Sequence, residues 1–240
     1  MSMRENLNIS HYLVIGPENT LGRDPVAIVD QAITAGIRCV QIRAKESSAQ
    51  EIITLAKGMA QTIAQRHLSD QVCLLINDRL DVALACRDLG IKVDGVHVGQ
   101  SDVPVEVCRH YLGPDAVIGF SAATKEMLTY VQNLDLAPID YLGVGPLHPT
   151  ATKADAGYYG DDDKIHLHSL AEIKTLAAAT PIPIVVGGGV TVADLTDLVA
   201  TGVAGYFVVS AIAGAQDPGQ ASHDLVTTWQ AASKGEDSHV

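Results

Sequence analysis

Cys39-Val40-Gln41-Ile42-Arg43-Ala44-Lys45 is an apolar strand that runs into a glutamine and two fixed cations at alternating positions. On a strand, side chains two apart share a face, so Gln41, Arg43 and Lys45 point the same way. Two cations beside an amide suit an anion with several oxygens, such as a diphosphate. Arginine offers a planar fork and lysine a compact point charge. The competing reading is a solvated strand end paired with Glu46. The same form, a short apolar run closed by a polar or glycine-rich segment and followed by a helical pattern, recurs along the chain, and that recurrence decides the fold.

The runs are Tyr12 to Gly16, Cys39 to Arg43, Val72 to Ile76, Gly95 to Gly99, Ala116 to Ser121, Tyr141 to Gly145, Ile184 to Gly187 and Gly205 to Ser210. Helical patterns fill the intervals at about 24–35, 48–66, 80–88, 124–133, 169–178, 192–200 and 218–231, with a proline-started helix after Pro104. The stripe Ile52, Leu55, Ala56, Met59, Ile63 marks the longest early one. Strands alternating with helices mean a parallel sheet covered by helices. Eight such pairs in 240 residues match a single (β/α)8 TIM barrel. An open doubly wound sheet is the rival, but it concentrates its site at one switch point, whereas polar strand ends here recur almost throughout. The expected domain therefore spans 1–240, with a long loop at about 146–168 and a frayed tail from about 233.

With 47% hydrophobic and 18% charged residues the chain can bury a large core. Its net charge of −12 argues against nucleic-acid or anionic-membrane surfaces, so any phosphate site must be local. No apolar run approaches the ~18 residues of a membrane span. Cys39, Cys73, Cys86 and Cys108 stand apart in mostly apolar surroundings and read as buried reduced thiols, which points to the cytoplasm. The partners expected are small phosphorylated molecules, and homo-oligomerisation is left open.

In a barrel the carboxyl ends of the strands form one ring, which brings Gln41, Arg43, Lys45, Asn77, Asp78, Asp102, Ser121, Lys153 and Gly188 to one cleft. Asp78 and Asp102 follow consecutive strands. Two neighbouring carboxylates repel unless a cation lies between them, and Mg2+ takes few protein oxygens and completes its shell with water and phosphate. A helix N-cap at Asp78 and a turn before Pro104 at Asp102 are the alternatives. Thr150-Ala151-Thr152-Lys153 lies in a connection far longer than the ~2 to 6 residues usual after a barrel strand, and its hydroxyls, amides and lysine suit a phosphate. Gly187-Gly188-Gly189 before a helix start suits another, with tight packing as the alternative, and Val209-Ser210 completes the ring. The spacing of His148, His166 and His168 matches no recognised zinc pattern. Asp161-Asp162-Asp163 reads as a solvated charge run, and His97 as a hydrogen-bonded residue facing the barrel interior.

Gln-x-Arg-x-Lys, Asn-Asp-Arg, Asp-Gly-Val-His-x-Gly-Gln-x-Asp, Pro-Thr-x-Thr-Lys, the glycine triplet and Val-Ser-Ala-Ile occur in this order from about Tyr12 to Ile212. Together they resemble the thiamine-phosphate synthase family. The resemblance implies a TIM barrel that joins hydroxymethylpyrimidine diphosphate to a thiazole phosphate, using Mg2+ and releasing diphosphate. It implies that Gln41, Arg43, Lys45 and Asn77 hold the pyrimidine diphosphate, that Asp78 and Asp102 hold magnesium, and that Ser121 and Lys153 also contact the diphosphate. Thr150, Thr152, Gly188, Val209 and Ser210 would hold the thiazole phosphate. Arg43, Lys45 and Lys153, with the metal, would neutralise the leaving group.

Two departures stand out. Members usually carry Ser-x-His after the fifth strand, where this chain has Ser121-Ala122-Ala123, and His148 precedes Pro149 where an aromatic is common. The missing histidine disfavours the related thiazole tautomerase, whose catalytic histidine falls at Ala123. A non-catalytic phosphate-binding barrel has no reason to keep both Asp78 and Asp102, and a sugar-phosphate isomerase lacks an assignable acid/base pair.

Overall fold

The computed structural model describes residues 2–122, 126–150 and 165–236. The apolar runs form the strands His11–Ile15 (β1), Cys39–Ile42 (β2), Cys73–Asn77 (β3), Gly95–Val98 (β4), Val117–Ser121 (β5), Tyr141–Val144 (β6), Ile184–Val186 (β7) and Gly205–Val208 (β8). Each pairs with the next, and β8 pairs in parallel with β1, giving a closed barrel. The helices are Pro25–Thr34 (α1), Ala49–Gln65 (α2), Leu80–Asp88 (α3), Val105–Leu112 (α4), Met127–Gln132 (α5), Leu170–Ala179 (α6), Leu195–Val199 (α7), Ser210–Ala213 (α8) and Pro218–Glu236 (α9). The (β/α)8 expectation therefore holds, and the open sheet is excluded by the β1–β8 pairing.

Local chemistry starts the helices where the sequence suggests. The Asp24 side chain accepts from the Val26 N–H, with Pro25 at the first helical position of α1. Ser48 and Glu51 form a reciprocal cap on α2, which buries Ile52, Ala56, Met59 and Ile63. Several boundaries differ from expectation, most by a residue or two. β3 runs one residue later, so Asn77 is part of the strand. The segment after β7 begins as a 3-10 turn, Val192–Asp194, before the short α7, because Asp194 folds back to cap Thr191. α9 continues to Glu236, past both the expected helix end and the expected start of fraying.

The two-residue period of each strand sorts its side chains into two cores. On β2, Val40 and Ile42 join the large layer between strands and helices, whereas Cys39 joins an inner cluster with Tyr12, Val14, Cys73, Leu75, Val117, Tyr141 and Val185. Gln41 shares the inner face with Cys39. Tyr12 and Tyr141 fill the barrel interior, their rings edge-on at 5.9 Å.

Such bulk fits only because facing positions lack side chains. A Cβ on Gly119 would lie 2.2 Å from Tyr141 Cζ and 2.5 Å from His97 Nδ1. Gly119→Ala is therefore expected to destabilise by about 1–3 kcal/mol through overpacking. In a chain of this size that lowers Tm by about 2–4 °C per kcal/mol. Thermal melts check this, and an unchanged Tm would mean the tyrosine ring yields at no cost.

Candidate active site

The carboxyl ends of the strands enclose a cleft of about 560 Å³. That is within the range of roughly 300–1,000 Å³ usual for small-molecule sites. Gln41 is buried at its floor, and Arg43 and Lys45 continue the same face of the chain to its wall. The competing pairing of these cations with Glu46 does not form among the described residues. Lys45 Nζ lies 3.3 Å from Asp78 Oδ2, and Glu46 instead donates its backbone N–H to Glu18. The Arg43 guanidinium lines the cleft wall and makes no ion pair among the described residues.

Asp78 and Asp102 stand beside each other at the rim. Burial pushes the Asp102 carboxyl above its ordinary range; the hydrogen bond and negative charge of Asp78 push it further, while the Gly99 N–H and Lys45 act in the opposite direction. Asp102 Oδ2 accepts from the Gly99 N–H at 2.8 Å, which fixes its orientation. Asp78 does not cap α3, whose N-cap position is Arg79 with no side-chain cap. It sits instead in the left-handed region at φ 59, its N–H donating to the His97 carbonyl at 2.9 Å. Aspartate tolerates this conformation better than most residues.

Beneath the cleft runs a chain of buried polar groups. Gln41 Nε2 donates to Tyr12 Oη; Tyr12 Oη lies 2.8 Å from Tyr141 Oη, and Tyr141 Oη lies 2.9 Å from His97 Nδ1. His97 Nε2 then lies 3.0 Å from Ser121 Oγ. Burial holds both phenols well above their ordinary pKa, so each keeps its proton. Every group is satisfied when each hydroxyl donates away from Gln41. His97 then carries its proton on Nε2 and donates to Ser121. The chain links β2 to β5 across the barrel and locks both ends in place.

On the opposite wall, Gly188 adopts φ 81, and a Cβ there would lie 2.5 Å from Pro146 Cβ. Cβ atoms at Gly187 and Gly189 would strike the Phe207 ring and His148 Cβ. Close packing thus accounts for all three glycines, and their backbone also lines the cleft. Thr150, Val209 and Ser210 complete that wall.

A sequence profile described as thiamine monophosphate synthase matches residues 11–212. The chain belongs to the thiamine monophosphate synthase family. It is 36% identical over 225 residues to the thiamine-phosphate synthase of Hydrogenobaculum sp., covering 93% of this chain and 94% of that one. It is 34% identical to the thiamine-phosphate synthase of Haloquadratum walsbyi, covering 95% and 94%. Among solved structures, thiamine phosphate pyrophosphorylase from Pyrococcus furiosus aligns with a TM-score of 0.75 at 26% identity, over 94% of this chain and 98% of that one. This synthase is accordingly a transferase of thiamine biosynthesis, condensing a pyrimidine diphosphate with a thiazole phosphate.

Of the residues singled out in the synthase sequence, Gln41, Arg43, Lys45, Asn77, Asp78, Asp102, Ser121, Thr150, Gly188, Val209 and Ser210 all line the one cleft. Thr152, Lys153 and Ala123 lie outside the described residues. His97 faces the interior as expected, and His148 pairs through Nε2 with Asp194 Oδ1 at 2.8 Å. Tyr12, Tyr141 and Phe207 were not singled out. Their only sequence signal is an aromatic at an inward strand position, which by itself reads as core. All four cysteines are buried free thiols. Among the described residues, no helix is long and apolar enough to cross a membrane.

Proposed function

We propose that the cleft performs the condensation with Gln41, Arg43, Lys45 and Asn77 on the pyrimidine diphosphate and with Thr150, Thr152, Gly188, Val209 and Ser210 on the thiazole phosphate. The observation that carries this reading is the convergence of Arg43, Lys45, Asp78 and Asp102 on one side of the cleft, opposite the glycine wall.

Asp78 and Asp102 fit a magnesium ion by chemistry. Both donors are hard carboxylate oxygens, they face the cleft, and Asp78 adds to the cost of ionising Asp102, which a cation between them would offset. Magnesium bound there supplies Lewis-acid neutralisation of diphosphate oxygens.

The protein's own part is positional and electrostatic. Arg43 offers its two-pronged fork to the diphosphate, and its charge gains value as the leaving group takes up electrons. Lys45 lies 3.3 Å from Asp78 and ties the end of β2 to the end of β3. Ser121 accepts from His97 and can give its own O–H to the diphosphate, with Lys153 as a further cation. Gln41, held by Tyr12, keeps its remaining amide atoms for the pyrimidine. The carbon–oxygen bond to diphosphate breaks with its electron pair leaving on oxygen, the aminopyrimidine ring carries the positive charge, and the thiazole nitrogen supplies the new carbon–nitrogen pair. No protein nucleophile takes part, so orientation of the two substrates is the main task.

Mixing the purified protein with both substrates and Mg2+ is expected to yield thiamine phosphate, and excess chelator is expected to stop it. Undiminished turnover in chelator would remove the metal from this scheme. Aromatisation of a thiazole carboxylate phosphate without condensation would remove the scheme itself.

A further inference from the structure

The segment entering α6 holds a cluster unused by the condensation. His166, His168 and Glu172 each place a ligand atom within 4.8 Å of the others. His166 Nε2 lies 3.8 Å from Glu172 Oε1, and the two imidazole rings meet edge-to-face at 5.0 Å. We propose that these three residues form a binding site for a divalent transition-metal ion of the zinc class, separate from the carboxylate pair at the cleft.

Three features of the fold support this assignment. In an extended stretch, residues two apart share a face, so His166 and His168 present their rings to the same side. Glu172 sits one turn into the helix that follows and is held by the helix cap. Its Oε2 accepts from the Ser169 N–H and Ser169 Oγ, both at 2.8 Å, which leaves Oε1 toward His166. A carboxylate oriented through one oxygen while the other faces the ion is how outer contacts tune metal ligands. His168 is also anchored, because its side chain is buried and its N–H donates to the Pro146 carbonyl at 3.0 Å.

Two imidazoles and one carboxylate match the nitrogen and oxygen preference of zinc and its neighbours, whereas magnesium prefers oxygen throughout. Three protein ligands leave a position for water. Coordination at zinc distances draws the three atoms closer than they now stand. Because Pro146 lines the cleft, an ion here would fasten the start of α6 beside the cleft rim.

Equilibrium dialysis of the full chain against zinc, with Mg2+ in large excess to occupy the carboxylate pair, tests the site. About one zinc per chain is expected. His166→Ala and Glu172→Gln are each expected to weaken binding at least about tenfold, the lower end of what even outer-contact loss produces. Glutamine serves the helix cap as well as glutamate does, so Glu172→Gln keeps the fold while removing a ligand. Zinc should raise the Tm of the wild type and not of either variant. No zinc retained by the wild type, or wild-type affinity in either variant, overturns the assignment, the latter by pointing to thiols or carboxylates elsewhere.

Discussion

Arg43→Ala is expected to lower the single-turnover rate at saturating pyrimidine diphosphate by on the order of 10² to 10³, as loss of a preorganised donor to a developing charge does. The expectation rests on how the cations of the cleft are divided. Lys45 is paired with Asp78 at 3.3 Å, whereas Arg43 faces the cleft with no ion pair among the described residues. Among the described residues, no carboxylate competes with the substrate for that charge. An interaction that strengthens as charge moves onto the leaving group lowers the barrier instead of merely tightening binding, so the loss belongs in turnover. Arg43→Lys keeps the charge but not the planar fork and should recover only part of the rate. Measuring single turnovers at saturation separates chemistry from affinity. Wild-type rates for Arg43→Ala once saturated would make Arg43 a binding residue and pass the leaving-group role to Lys45, Lys153 and the metal.

Asp102→Asn should divide activity from stability. Its turnover with Mg2+ is expected to fall by about 10² or more, the scale on which removal of a charge-stabilising group acts. Its metal-free form should be more stable than the wild type at neutral pH. The Asp102 carboxyl is held above its ordinary value of 3.8 by burial and by Asp78. A carboxyl with a raised folded-state pKa binds its proton more tightly in the folded chain. It contributes stability at low pH and loses that contribution as pH rises through the raised value. The metal-free wild type should accordingly weaken as pH climbs out of the carboxylate range, and Mg2+ should restore it. Asparagine can still accept from the Gly99 N–H, so the rim keeps its shape. Melting curves against pH, in chelator and in Mg2+, check both halves. Equal activity of the variant, or an unchanged pH dependence of its Tm, would break the link between this carboxylate and a cation.

Much of this was legible because its cause is local. The alternation in Cys39-Val40-Gln41-Ile42-Arg43 put Gln41 on one face with Arg43 and Lys45, and the structure shows that this face lines the cleft, with Gln41 buried. The caps at Asp24 and Ser48 are short-range bonds between neighbours in sequence, so the helix starts could be read directly. Strand-end positions after β2, β3 and β5 met at one cleft because closure of a parallel barrel leaves them nowhere else to go.

What the sequence by itself determined is the set of elements, the barrel they build, and which strand ends carry charge, since each follows from periodicity and from residues a few positions apart. The tertiary structure alone decided how those ends are joined. It paired Lys45 with Asp78 instead of Glu46, ran one polar chain from Gln41 through Tyr12, Tyr141 and His97 to Ser121, and gave His166 and His168 a carboxylate from the next helix. These partners lie on different strands or across a helix start, and their pairing depends on side-chain directions and distances that only barrel closure and packing fix.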